Sequence, residues 1–181
     1  MRFFTGCTHF SHANIIRFCS RPFVDAIEMD RVLIEKWNTV VSDEDTVFHL
    51  GDFSFAMFNK AQEVFNKLNG KKYMVKGNHD SSPKIMKMIG FKECYPNLQI
   101  DIGGTKVNLN HHPYREYVNK YDLKFQPQMP VNDGNWLLHC HIHNGLESWK
   151  IRDKQINCTV EYWDYSPIPE EAIAQIIHGS K

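Results

Sequence analysis

Polar side chains in this sequence come directly after short apolar runs, and this placement restricts the folds that the chain can adopt. Five such positions follow runs that read as β-strands, and they are His9, Asp52, Asn78, His111 and His141. In layered α/β proteins, ligands bind outside the carboxyl ends of strands, where the loops converge. We therefore expect the five positions to meet at one site, although they are far apart in the sequence.

The alternation of periodic segments predicts an α/β fold. Apolar residues at helical spacing predict helices over residues 25–41, 58–69, 83–90 and 169–177. Short apolar runs predict strands at residues 46–50, 73–75, 136–138 and 155–163, and a hairpin turn at Gly103-Gly104. No repeat or linker interrupts this pattern, so we expect one domain over residues 1–181.

The overall charge and the cysteines narrow the class of protein. Lys plus Arg number 21 and Asp plus Glu number 21, so the formal net charge is zero, which disfavours long nucleic acid as the main substrate. No apolar run approaches the roughly 18 residues that a membrane span requires. The five cysteines are odd in number and form no CxxC pair. This argues against a disulfide framework and predicts a reducing, cytoplasmic compartment.

The types of polar residue indicate a metal centre. Of the ten histidines, all except His178 lie in five short groups. Imidazoles beside Asp and Asn oxygens suit Mn, Fe, Zn or Ni better than Mg or Ca. The motifs that carry these side chains are, in chain order, Gly51-Asp52, Gly77-Asn78-His79-Asp80, His111 and His141-Ile142-His143. Their joint occurrence is far more specific than any one of them alone.

These motifs resemble those of the calcineurin-like metallophosphoesterases, whose pattern is DxH, GD, GNH followed by D or E, H, and GHxH. The first segment, Cys7-Thr8-His9-Phe10-Ser11-His12-Ala13-Asn14-Ile15-Ile16, is similar to the opening of small bacterial and phage members. The resemblance implies a four-layer α-β-β-α sandwich with two divalent metal ions at the carboxyl ends of its strands.

The resemblance also implies which residues hold the two ions. Asp52 would bridge both ions, while His9 and His143 would bind the first. The second ion would be bound by Asn78, His111 and His141.

His79 would be the general acid or would orient the substrate, and Asp80 would hold its imidazole. The two ions would activate a hydroxide that attacks phosphorus in line, and a proton donor at the leaving oxygen would add roughly 10²–10⁴-fold.

Two positions depart from the family pattern. Cys7 stands where the family has its first Asp ligand, and Cys140 stands where the family has a glycine. Three interpretations stay open. Cys7 ligates the first ion as a thiolate, which would favour zinc or iron. Alternatively, the first ion site is lost or weakened. In the third, Cys7 and Cys140 form a disulfide or bind one metal ion together.

Three further residues are candidates for substrate binding. His12 and Asn14 lie just beyond the first motif, where they would contact the phosphate or hydrogen-bond within the loop. Arg115, just beyond His111, is a candidate phosphate contact, although surface arginines are common.

The remaining histidines are assigned supporting roles. We expect His49, inside a strand, to be structural or to support a ligand. Either His111 or His112 fits the ligand spacing, and the family pattern favours His111. His139 has no role in that pattern.

An aromatic segment lies between two predicted strands, from Pro113 to Asn135. At helical spacing its aromatic residues would form one face, which serves either for packing or as a lid that stacks on the substrate. These residues are Tyr114, Tyr117, Tyr121 and Phe125.

The leading hypothesis is metal-dependent hydrolysis of a phosphodiester or phosphomonoester at a two-metal site. A short chain leaves such a site open to a small phosphorylated substrate, such as a nucleotide. The alternative is a degenerate or one-metal site that binds phosphate or a nucleotide as a sensor, without significant turnover. A structural zinc protein is disfavoured because Asp52 and Asn78 are poor ligands for a closed zinc site.

Overall fold

The computed structural model describes residues 1–117, 122–144 and 150–179, and its strands form two sheets. The strands are β1 (Arg2–Thr5), β2 (Thr46–His49), β3 (Lys71–Val75), β4 (Cys94–Tyr95), β5 (Leu98–Ile102), β6 (Thr105–Leu109), β7 (Trp136–His139), β8 (Ile151–Arg152), β9 (Gln155–Asn157) and β10 (Ile168–Pro169). The helices are α1 (Ala13–Phe18), α2 (Ala26–Val40), α3 (Phe58–Phe65), α4 (Pro83–Ile89) and α5 (Glu170–His178).

The strand order brings many carboxyl ends to the same side. The first sheet has the order β10-β1-β2-β3-β4, and the second has the order β5-β6-β7-β9-β8. Strands β1 to β4 are parallel to one another, as are β6, β7 and β9. The loops that leave each parallel set therefore start from one edge of its sheet.

Two apolar cores hold these layers together. Successive side chains of a strand point to opposite faces, so Phe3 packs against α2, α3 and α4 while Phe4 faces the second sheet. Helix α2 buries Met29, Leu33 and Trp37 on one face, as its spacing predicts. The predicted α/β sandwich of sheets and helices is confirmed.

Two parts of the chain differ from the sequence-based expectation. The strand predicted over residues 155–163 ends at Asn157, because the Asn157 side chain accepts a hydrogen bond from the Thr159 N–H (3.1 Å) and turns the chain. A 3-10 helix, Val160–Tyr162, follows.

In its described residues, 113–117 and 122–135, the aromatic segment from Pro113 to Asn135 forms no continuous helical face. These residues contain two 3-10 helices, Arg115–Tyr117 and Leu123–Gln128, and Pro127 within the second prevents a continuous α-helix there. Tyr114 is fully buried against the second sheet, where its N–H donates to Gln155 Oε1 at 2.8 Å. This burial supports packing, rather than stacking on a substrate, as the role of Tyr114. Tyr121 lies outside the described residues.

Across the described ranges, every helix is too short or too polar to cross a membrane.

Candidate metal centre

The proposed metal ligands converge at the carboxyl ends of five strands from both sheets. The residues that follow these strands are Cys7 and His9 after β1, Asp52 after β2, Asn78 after β3, His111 after β6, and His141 and His143 after β7. The expectation that distant motifs meet at one place therefore agrees with the geometry.

Asp52 lies at the centre of the cluster. Its Oδ2 is 3.7 Å from Nε2 of His9 and 3.5 Å from Nε2 of His111. Its Oδ1 accepts a hydrogen bond from the His79 N–H at 2.9 Å. One carboxylate oxygen thus lies between imidazoles that belong to different groups, which is the position that a bridging ligand requires.

The group on one side of Asp52 contains an amide and two imidazoles. Nε2 of His111 lies 3.0 Å from Oδ1 of Asn78 and 3.2 Å from Nδ1 of His141. Metal bonds of about 2.0–2.2 Å place neighbouring donor atoms about 3 Å apart. The spacing of these donor atoms fits one divalent cation.

The group on the other side contains a thiol and two imidazoles. Nε2 of His9 lies 3.3 Å from Nε2 of His143, and donor atoms of both lie within 4.8 Å of the Cys7 Sγ and of each other. Cys7 is therefore close enough to both imidazoles for the interpretation as a thiolate ligand.

Cys140 lies behind this cluster. All five cysteines are free, so the disulfide between Cys7 and Cys140 is absent from the structure. The Cys140 thiol donates to the Leu50 carbonyl at 2.9 Å, while Cys7 Sγ accepts from the His141 N–H at 3.2 Å. A Cβ atom at Gly6 would lie 2.7 Å from Cys140 Sγ, so the glycine makes room for this thiol. These contacts favour a structural role for Cys140. Ligand atoms of Cys7, His111 and Cys140 also lie within 4.8 Å of one another, so the geometry leaves joint binding of one ion by Cys7 and Cys140 as an alternative.

In the absence of cations, burial favours the neutral forms of Cys7, His9, His111 and Asp52, whereas Cys7 and Glu161 raise the pKa of His143 well above its usual range although burial opposes this. Burial, and then the hydrogen bond with Cys140, raises the pKa of the Cys7 thiol well above its usual range. Burial, and then the neighbouring imidazoles, lowers the pKa of His9 and of His111. Burial also raises the pKa of Asp52. Bound cations would reverse the shifts of the acidic groups and require the neutral imidazoles.

The backbone of the site is strained. Cys7, His9, Asp52, His141 and His143 all have positive φ, between 46° and 64°. Non-glycine residues in this region cost about 1–3 kcal/mol each and concentrate at functional sites. The strain turns these side chains toward one another.

Asp80 has a different role from the one predicted. Its carboxylate accepts hydrogen bonds from the backbone N–H groups of Asp52, Phe53 and Gly77 at 2.8–2.9 Å. Among the described residues, no hydrogen bond joins it to the His79 ring. Because Asp80 is buried beneath the strand ends, it holds the loops that carry Asp52 and Asn78, while His79 is exposed at the surface.

The candidates for substrate binding have separate positions. His12 lines a cavity of about 390 Å³ together with His9, Asp52 and His79. Asn14 is exposed on α1 and does not line this cavity. Arg115 also does not line it, because its Nη2 turns back to donate to the Met129 carbonyl at 3.2 Å.

Three polar residues that support the ligands were missed by the sequence analysis. Nδ1 of His143 lies 3.1 Å from Oε1 of Glu161, which in turn accepts from the Arg21 guanidinium at 2.7 Å. Nε2 of His141 lies 3.2 Å from Oδ1 of Asp122. Such partners fix the orientation of ligating imidazoles. Single charged residues at unrelated positions provide no motif that could have identified them.

Three further histidines, His49, His112 and His139, are buried next to the site. Nε2 of His49 lies 3.0 Å from the Thr8 hydroxyl and its Nδ1 accepts from the Gly51 N–H at 3.2 Å, so it links two ligand loops as a structural residue would. The rings of His112 and His141 lie 4.5 Å apart. Nδ1 of His139 lies 2.9 Å from the Cys140 carbonyl oxygen.

Comparison with known proteins defines the class. Residues 6–157 match the family model for the calcineurin-like phosphoesterase superfamily domain. The chain belongs to this superfamily of phosphoester hydrolases. It is similar to the uncharacterized protein MJ1445 of Methanocaldococcus jannaschii, with 33% identity over 96% of this chain and 89% of that protein. The gene 66 protein of Mycobacterium phage L5 is 28% identical, over 88% of this chain and 86% of that protein.

A solved structure has the same architecture over nearly the whole length. The crystal structure of AQ665 from Aquifex aeolicus, a protein of unknown function, matches with a TM-score of 0.76 and 29% identity. The match covers 97% of this chain and 98% of that chain.

Proposed function

We propose that this protein hydrolyses a phosphodiester or phosphomonoester at a site for two divalent metal ions. The observation that carries the proposal is the position of the Asp52 Oδ2 atom, which lies within 3.7 Å of imidazole nitrogens from two separate ligand groups. A bridging carboxylate between two such groups is the arrangement that a two-metal phosphoesterase needs.

Each ion has its own set of ligands in this proposal. One set is Cys7, His9, Asp52 and His143, and the other is Asp52, Asn78, His111 and His141. The donors suit Mn, Fe, Zn or Ni, and the thiolate of Cys7 favours zinc or iron for the first ion. When bound, such ions stabilise charge on the phosphoryl oxygens and supply an activated water molecule.

His79 acts at the leaving group. Its backbone N–H is held by Asp52 (2.9 Å) and its side chain is exposed beside the cavity. The imidazole there is positioned to donate a proton to the leaving oxygen or to orient the phosphoryl group. Asp80 contributes indirectly, because it fixes the backbone on both sides of His79.

Cavity size, charge and thiol chemistry support a proposal for the substrate and for the compartment. A small phosphorylated molecule, such as a nucleotide, suits a cavity of about 390 Å³. The zero formal net charge gives no support to long nucleic acid as the substrate. We place the protein in the reducing cytoplasm, because Cys7 must stay reduced in order to ligate.

The test is to measure metal content and the hydrolysis of an aryl phosphodiester and an aryl phosphomonoester with added Mn, Fe, Zn or Ni. We expect two ions per chain and turnover that Asp52→Asn abolishes. Turnover that appears only after Cys7→Asp would show a degenerate first site. One ion per chain without turnover would support the phosphate-binding sensor instead.

A further inference from the structure

The cavity that contains the candidate metal centre has an aromatic wall on one side. His9, Asp52 and His143 line the polar side. The lining also contains His12, Ile15, Phe18 and Phe55, and these four residues are called the aromatic wall below. None of them has a place in the ligand sets, so their position beside the cluster needs a separate explanation.

The rings of the aromatic wall run outward from the ligands without a gap. Phe55 is centred 5.5 Å from the ring of His9 and 4.8 Å from that of His79. His12 stacks on Phe55, with centroids 3.8 Å apart and planes inclined by 7°. Phe18 meets His12 edge-on at 6.5 Å. The surface therefore begins at the ligands and extends away from them.

Two of these rings face the solvent. Phe55 is 43% exposed and Phe18 is 65% exposed. A single exposed apolar side chain is ordinary, but Phe18 and Phe55 are connected through the ring of His12 into one surface beside a polar site, which is typical of a binding surface. The local fold holds Phe55 in place, since its N–H donates to the Phe10 carbonyl at 3.0 Å. Phe18 follows the buried Ile15 by three positions on α1, so both lie on one side of that helix.

We propose that the aromatic wall binds a planar aromatic ring in the ester group of the substrate, such as an aryl group or a nucleobase. This inference rests on the proposed phosphoesterase function and specifies its substrate class. A phosphoryl group at the ligands would place its substituent toward Phe55 and Phe18, where a flat ring gains stacking contacts that an alkyl or sugar group does not.

The test measures binding, so that it does not depend on turnover. The metal-loaded protein is titrated by calorimetry with phenylphosphonate, methylphosphonate and the methylene phosphonate analogue of AMP. The variants are Phe18→Leu, Phe55→Leu and the double variant, which keep apolar bulk but remove the rings. Phe23→Leu is the matched control, because Phe23 is partly buried and does not line the cavity.

We expect a ligand with a ring to bind more tightly than methylphosphonate. In the double variant, the ligand with a ring should bind about 5- to 100-fold more weakly, whereas the affinity for methylphosphonate should stay the same. Phe23→Leu should change neither affinity. If only phenylphosphonate binds more tightly than methylphosphonate, the substrate carries an aryl group. If the AMP analogue also binds tightly, the substrate carries a nucleoside. Both results support the proposal.

Equal affinities for the ligands with and without a ring, or an unchanged preference in the double variant, would overturn the inference. If the wild-type protein still hydrolyses an aryl phosphodiester in that case, the proposed phosphoesterase function stands and only the role of the aromatic wall is wrong. If two ions are bound but no phosphonate binds, both this inference and the proposed role of the ions are wrong.

Discussion

Nδ1 of His143 lies 3.1 Å from Oε1 of Glu161, on the opposite side of the ring from the Nε2 that faces His9. The side chain of Glu161 is 1% exposed and pairs with the fully buried guanidinium of Arg21. Arg21 also donates to the backbone carbonyls of Cys7 and Thr8 at 2.7 and 2.8 Å. The pair therefore orients the imidazole of His143, a proposed ligand, together with the loop that carries Cys7.

Glu161→Gln should lower the affinity of the site for metal roughly 10- to 100-fold, because an outer hydrogen-bond partner of a ligating His typically has an effect of this size. It also removes the charge that pairs with buried Arg21, so the melting temperature should fall. Chelator competition well below that temperature measures the affinity. Glu35→Gln, in the exposed pair with Arg31 (2.9 Å), is the control. Unchanged affinity in the folded Glu161 variant would leave Glu161 with a purely structural role.

Cys7→Asp should shift the metal preference of the first site from zinc toward manganese, because a carboxylate is a harder donor than a thiolate. Competition between Zn and Mn for the apoprotein, read by mass spectrometry of the bound ions, measures the change. Cys94→Ser is the matched control, since Cys94 is half-buried on β4 and outside the cluster. An identical Zn to Mn ratio in wild type and Cys7→Asp would exclude Cys7 as a ligand.

Asp80→Asn should reduce the free energy of unfolding by about 1–3 kcal/mol, since backbone N–H groups that pair with its two oxygens lose an acceptor. Urea unfolding measures this loss, with Asp43→Asn on the exposed α2–β2 loop as the control. The shape of the pH profile of turnover should be retained, because Asp80 contacts backbone and not the His79 ring. A displaced pH profile would restore the role in holding His79 that the family pattern implies.

Acidification should destabilise the metal-free protein through buried His49. Burial lowers the pKa of His49 from its ordinary 6.5 to about 3. As the pH falls below 6.5, His49 therefore takes up a proton in the unfolded chain but not in the folded chain. The free energy of unfolding is therefore lost progressively between pH 6.5 and 3. This contribution has a slope of at most about 1.4 kcal/mol per pH unit.

Urea unfolding of the metal-free His49→Gln protein between pH 4 and 7 tests this expectation. The variant should show a shallower loss of stability on acidification than the wild type. His178→Gln, at an exposed position on α5, should keep the wild-type slope. If the His49→Gln variant also keeps the wild-type slope, His49 is protonated equally easily in the folded and unfolded states.

The sequence analysis predicted the long helix, the hairpin and several short strands, and it missed the shortest elements. Helix α2 and the hairpin at Gly103-Gly104 are where spacing and turn chemistry predict them. Helix α1 has six residues and β10 has two, which is too few for a period to be recognised. The strand predicted to continue to residue 163 stops at Asn157, because a side-chain hydrogen bond ends the ladder there.

Local pattern alone was enough to predict most of the longer strands and the polar motifs that follow them, because backbone preference and alternation of faces act over a few residues. Tertiary structure alone decided that Glu161 meets His143, that Asp122 meets His141 and that Phe55 stacks on His12. These contacts depend on how the two sheets and their loops come together, and no local preference encodes the distance between side chains on different strands. The proposed ligands could be picked out from their motifs, whereas the residues that orient them became visible only in the folded chain.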